Sequence, residues 1–183
     1  VAVPLAAQQR PAKVMRIGYL DTSSAGIVGI RLDRLRAGLR DLGYAEGKNI
    51  VIEARWAETD YGCLPALAAE LLEQRLDVMV VAGPAAIRLV RQTTTKLPMV
   101  MVASGDPVSF GFVQNLSHPG ENITGVSTNN VEVSYKYVDI LREAIPGLST
   151  VAVLMNPGHP GHPDYLRGIQ STAPHTIKVL PIE

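Results

Sequence analysis

At 183 residues, with 46% hydrophobic and 19% charged side chains, the chain is long enough for one well-buried domain, or for one domain with part of a second. Lys and Arg balance Asp and Glu at 17 each, so there is no basic field of the kind that holds nucleic acid or an anionic membrane surface, and neither is expected as a partner. A lone Cys63 permits neither an internal disulfide nor a cysteine metal cluster.

Residues 1–12 (VAVPLAAQQRPA) are Ala-rich, broken by proline and without the period of a helix or strand. They read as the end of a secretory signal peptide with its cleavage region, or as a flexible arm. No later run approaches the roughly 20 apolar residues of a membrane span.

Residues 13–128 are expected to form an N-terminal α/β lobe. A strand is predicted over 14–20 and a loop over 21–26. A helix over 30–42 then carries Leu32, Leu35, Leu39 and Leu42 as its apolar stripe. Arg31, Arg34, Arg36 and Arg40 fall mostly off that stripe and read as a solvated face, and Gly43 is the stop signal. A strand over 50–56, a helix over 64–74 with Cys63 on its face, and a strand over 78–82 repeat the unit. A third helix over 85–93, a strand over 99–103, a partly helical stretch over 108–116 and a short strand over 123–127 complete it. Residues 78–82 and 99–103 lack polar alternation, as strands buried on both faces of a parallel sheet should. The fold class that follows is α/β, a doubly wound parallel sheet.

Residues 129–183 begin a second unit. Asn129 and Glu132 have capping-box spacing, and Tyr137, Ile140, Leu141 and Ala144 follow as an apolar helix face that Pro146 and Gly147 end. A strand over 150–155, the loop NPGHPGHP, a helix over 165–172 and a strand over 177–182 come next. One helix and a two-strand βαβ unit cannot cover both faces of their own sheet, so an incomplete second α/β lobe is expected.

Several of these stretches resemble a known family. DPV (106–108), NLSHPGENITG (115–125), SYKYVDILREAIPGL (134–148) and VAVLMNP (151–157) are similar to solute-binding proteins of ABC transporters built from type I periplasmic-binding-protein lobes. Residues 39–58 (LRDLGYAEGKNIVIEARWAE) and 77–83 (DVMVVAG) agree, and the likeness runs over about 16–183. The resemblance implies a secreted, periplasmic two-lobed clamshell. It would hold a small solute, an amino acid or analogue, in the cleft between lobes for delivery to a membrane permease, with no enzyme activity and no cofactor. This chain departs from the pattern twice: relatives continue past the position of Glu183 to complete the second lobe, and many carry a hydroxyl residue where Pro84 stands.

Ligands of open α/β sheets sit outside the carboxyl ends of the strands, which puts Gly83, Pro84, Ala85 and Ala86, together with Ser104 and Asp106, at the candidate site. Gly83 allows close backbone approach, Pro84 has no N–H to waste at a first helical turn, and the N–H groups of Ala85 and Ala86 suit a carboxylate at the positive end of the helix dipole. Tight helix–strand packing would select the same small residues. Asp106 is suited to a solute ammonium or, equally, to capping the segment after Pro107. Ser23 and Ser24 after the first strand, and Ser127 and Thr128 after the fifth, either line the cleft edge or cap helices. Asn156 offers an amide from the opposite wall or simply a turn.

Other features carry less. His159 and His162, with Asp164 as the only further candidate, supply too few convergent ligands for a metal, so no metal site is expected. The Asn-Ile-Thr run at 122–124 fits a glycosylation acceptor, which has no meaning in a bacterial chain. Tyr19 and Trp56 read as packing residues. No GxSxG elbow, phosphate loop, GxGxxG turn or CxxC is present, so catalytic residues are not assigned, although a small hydrolase or isomerase on this fold remains an alternative. A further alternative is a sensory or self-associating interaction module, a homodimer formed through exposed apolar edges.

Overall fold

The computed structural model describes residues 13–102, 105–128, 133, 136–156, 159 and 161–183. The arm at 1–12, Ser104 and the Asn129–Glu132 capping pair lie outside the described residues.

Five parallel strands form the first sheet in the order β2-β1-β3-β4-β5: β1 Met15–Asp21, β2 Ile50–Trp56, β3 Val78–Ala82, β4 Met99–Val102 and β5 Ile123–Val126. The chain leaves β1 for β2 on one side, then crosses back to β3 on the other, so the sheet reverses direction at β1/β3. Helix α1 (Ala25–Asp41) makes the first crossover, α2 (Leu64–Leu72) the second and α3 (Pro84–Thr93) the third.

The helices divide between the faces as period-2 strands require. Ile17 and Tyr19 of β1, Ile50 and Ile52 of β2 and Val80 of β3 pack under Val28 and Leu32 of α1. Leu20, Met79, Val81, Met99 and Met101 point the other way, against Leu64, Ala68 and Leu71 of α2 and Ala86, Ile87 and Val90 of α3. β3 is buried along nearly all its length, which is why its sequence shows no alternation. Leu71 is fully buried in the larger cluster. Leu71→Ala is expected to cost about 3 kcal/mol, read from the denaturant midpoint, because the surrounding helices can only partly collapse into the space.

Four expectations are corrected. Leu42 is not part of the α1 stripe: it follows the last helical residue and is 75% exposed. α1 itself starts at Ala25, earlier than its apolar period suggests, because its first turn is solvent-facing. No helix forms over 108–116. Gly111 sits at φ +68° after a single turn, and Phe112 and Val113 enter the core from irregular backbone. Cys63 is not on the face of α2 but in the 3-10 turn Tyr61–Cys63 that leads into it, its Sγ 3.0 Å from the Asp60 carbonyl.

The second unit holds α4 (Tyr137–Ala144), β6 (Thr150–Leu154), α5 (His162–Thr172) and β7 (Lys178–Ile182), with β6 and β7 paired in parallel as a separate two-stranded sheet. Val138, Ile169 and Ile177 form its core with Val151, Val153 and Val179. The opposite face of β6 is open, and Leu154 is 81% exposed. Among the described residues no helix is long and apolar enough to cross a membrane.

Candidate functional site

The registers set the carboxyl-terminal residues of the first sheet in one row: Trp56, Asp21, Ala82, Val102 and Val126. The loops that matter spring from this row. At the β1/β3 reversal the loop after β1 is tied to both neighbours. The Thr22 N–H donates to the Ala82 carbonyl at 3.3 Å, and the Ala57 and Thr59 N–H groups donate to the Asp21 and Thr22 carbonyls at 2.9 and 3.0 Å.

Gly83 occupies the bottom of the crevice. Its φ of +93° and the 2.3 Å that would separate an added Cβ from Thr22 Oγ1 both demand glycine. Pro84 follows as the first residue of α3, and the Ile87 N–H makes the helix's first bond to the Gly83 carbonyl at 3.1 Å. The N–H groups of Ala85 and Ala86 precede that first bond and have no carbonyl four residues back within the helix. Ala86 is fully buried in the core, backbone included, so this position of the helix N-terminus serves packing.

The other helix N-terminus at this crevice is already matched. Ser24 is the N-cap of α1 without a side-chain cap bond, and instead Glu58 Oε1 accepts from the Ala25 N–H at 3.2 Å and from Trp56 Nε1–H at 3.0 Å. A carboxylate of the chain thus fills the α1 terminus, whereas α3 has no acid in its first turn.

Beneath Ser23 lies a polar network whose role the sequence did not reveal. Asp21 is 0% exposed and accepts from Tyr19 Oη–H at 2.9 Å, from the Ser23 N–H at 2.8 Å and from Arg31 Nη1 at 2.8 and 3.1 Å. Arg31 Nη1 also donates to Ser23 Oγ at 3.1 Å. Arg31 is therefore not part of a solvated face: its side chain is 35% exposed, and its guanidinium pairs with the buried carboxylate. Burial pushes the Tyr19 phenol well above its ordinary value, and the Asp21 charge adds to the effect. The signal available was strand parity, since Ile17, Tyr19 and Asp21 share the face that α1 covers.

Asp106 serves as a cap, its Oδ1 accepting from the Val108 and Ser109 N–H groups at 3.0 and 3.2 Å. Oδ2 takes part in neither bond. Ser127 and Thr128 are exposed at the end of edge strand β5, away from the reversal.

Asn156 follows β6, and its N–H donates to His162 Nδ1 at 2.8 Å. The loop after β6 meets the first lobe: His159 lies edge-on to Tyr61 with ring centres 6.3 Å apart, and a Cβ on Gly161 would lie 2.9 Å from Phe110. Tyr165 closes on Gly105 in the same way. Tyr61, Phe110 and Tyr165 were not anticipated, because contacts between lobes leave no period in sequence. Among the described residues no three His, Cys, Asp or Glu side chains converge as metal ligands.

Residues 29–182 match the family described as ABC transporter substrate binding protein. A curated relative, the tyrosine-binding protein of Clostridioides difficile (strain R20291), is 26% identical over 129 residues, which cover 68% of this chain and 37% of that one. Among solved structures, a conserved domain protein from Vibrio cholerae superposes with a TM-score of 0.81 at 24% identity, covering 93% of this chain and 57% of that one. The ABC domain from Streptococcus pneumonia in complex with L-Trp gives 0.74 at 21% identity, covering 92% and 56%. These likenesses establish the fold, and the chain spans roughly half the length of the structures it matches.

Proposed function

The chain belongs to the ABC transporter substrate-binding protein family, and from that premise we propose that it binds a small amino-acid-like solute in the cleft between its lobes, outside the cytoplasm, for delivery to a membrane permease. The observation that carries this is the pairing of a helix N-terminus at Gly83–Ala86 that has no acid in its first turn with an acid at Asp106, both at the carboxyl edge of one sheet, facing a second lobe whose loop reaches across to Tyr61 and Phe110. A carboxylate is received at this helix N-terminus by the N–H group of Ala85, and the ammonium by Asp106 Oδ2 while Oδ1 keeps the cap. Ser23 and Ser24, Ser104, Ser127 and Thr128, and Asn156 are proposed as the polar rim. The relatives named for tyrosine and L-Trp support an amino acid as solute, and a periplasmic location accords with the family.

The test is calorimetric titration with L-tyrosine and L-tryptophan. Saturable binding is expected, weakened about tenfold in Asp106→Asn, which keeps an oxygen for the cap but loses the charge. Absence of heat with either amino acid, or an unchanged affinity in the variant, removes the corresponding part of the proposal.

A second reading, self-association, is favoured by the open apolar face of the second sheet, where Leu154 and Ile182 are exposed. Sedimentation showing a monomer across concentrations would exclude it.

A further inference from the structure

We propose that His159 and His162 form an acid-released clasp between the lobes: as neutral imidazoles they hold the loop after β6 against Tyr61 and Phe110, and protonation lets the first lobe go. The proposal rests on the solute-binding reading only for what the clasp encloses.

The geometry requires neutral rings. The two imidazoles stack with centres 4.2 Å apart at 30°, His159 presents an edge contact to Tyr61, and His162 presents one to Tyr165 at 6.3 Å. In each ring Nδ1 is an acceptor, from the Asn156 N–H at 2.8 Å in His162 and from the Gly161 N–H at 3.2 Å in His159. A proton added to Nδ1 turns that acceptor into a donor facing a donor, and the bond is lost. It also puts a positive charge against the face of the second ring. The His159 N–H also donates to the Asn156 carbonyl at 3.0 Å and the His162 N–H to the His159 carbonyl at 3.2 Å, so a shift of either ring is felt by Asn156 and by the other histidine. Gly161, one residue before His162, lies against Phe110.

The groups that share the space are the phenol rings of Tyr61 from the turn after β2, Tyr137 from α4, and Tyr165 from α5. Asp164 and Arg167 follow His162 in the sequence of α5. No ion pair joins either imidazole to a carboxylate among the described residues. Burial holds both imidazoles below their ordinary pKa, and at His159 the neighbouring His162 adds to it. With pKa values lower in the clasped than in the open state, the clasp is at full strength above the ordinary imidazole range. It weakens as the pH falls through that range toward the lowered values.

The test follows the histidine and tyrosine ring resonances of the chain by NMR from about pH 8 to about pH 5, with L-tyrosine titrated calorimetrically at both ends. The expected result is that His159 and His162 titrate together below the ordinary imidazole value. The Tyr61 ring signals move in the same step, and L-tyrosine affinity falls about threefold or more on the acid side. In the His159→Gln, His162→Gln double variant the Tyr61 step disappears. Independent titration at the ordinary value, or coupled titration with Tyr61 silent, overturns the clasp. Should L-tyrosine bind at neither pH, the solute reading loses its support, and the Tyr61 step alone decides for or against the clasp.

Discussion

Gly125→Ala is expected to destabilise the first lobe by about 4 kcal/mol, seen as a large drop in the denaturant midpoint. Gly125 is paired with Met101 in the β4–β5 register and adopts φ +150°. A Cβ built there would stand 2.0 Å from the Met101 carbonyl oxygen, 2.7 Å from its nitrogen and 2.6 Å from its Cγ. Flexible side-chain ends can retreat from such a contact, but backbone cannot. β4 is pinned on its other side by four register pairs with β3 and by Met99 and Met101 in the core. Relief must come from β5, which is an edge strand with Val126 64% exposed and little burial beyond Ile123 to hold it. The comparison that isolates the clash is Gly111→Ala. Gly111 has φ +68° but open space around its Cβ position, so alanine there pays only the left-handed backbone strain, about 1–2 kcal/mol. Equal losses at the two sites would show that the close approach to Met101 contributes nothing.

The sheet was legible because its strands obey a local rule. Residues 78–82 and 99–102 are continuous apolar runs since helices cover both faces, and β3 ends at Gly83, where the chain turns into the crevice. The sheet-end rule then led to Gly83, whose positive φ and contact with Thr22 explain why no other residue fits. What failed to show was long-range or one-sided. The α1 N-terminus is matched by Glu58, more than thirty residues downstream, so neither Ser24 nor the apolar period marks where that helix begins. Phe112 and Val113 mimic a helical stripe over 108–116, yet they are buried through a turn capped by Asp106 and broken at Gly111. Arg31 looked like one of several surface arginines because its partner, Asp21, lies ten positions earlier and on another element. Strand parity put Asp21 on the face beneath α1, but parity says nothing about which helix residue will reach it.

Asp21→Ala is expected to cost about 3 kcal/mol and to loosen the loop that carries Ser23 and Ser24. The buried carboxylate satisfies three donor groups, and they do not suffer equally when it goes. The Tyr19 hydroxyl belongs to a residue only 2% exposed and loses its acceptor, and the Ser23 N–H loses the bond that fixes the loop. The Arg31 side chain is about one-third exposed, so its guanidinium is rehydrated in part and its share of the loss is smaller than for a fully buried pair. Asp21→Asn keeps an acceptor oxygen but turns an amide N–H₂ toward Arg31 or Tyr19, and about 1–2 kcal/mol is expected. A merely structural loss would leave the Tyr19 phenol where burial puts it, whereas removal of the Asp21 charge must bring its pKa down, because that charge is the second cause of its elevation. The Tyr19 ring carbon signal followed against pH in wild type and Asp21→Asn reads this directly. An unchanged titration would mean that Asp21 does not act on Tyr19 as a charge. Tyr19→Phe in the Asp21→Ala background then recovers part of the stability, because the orphaned hydroxyl has been removed along with its acceptor.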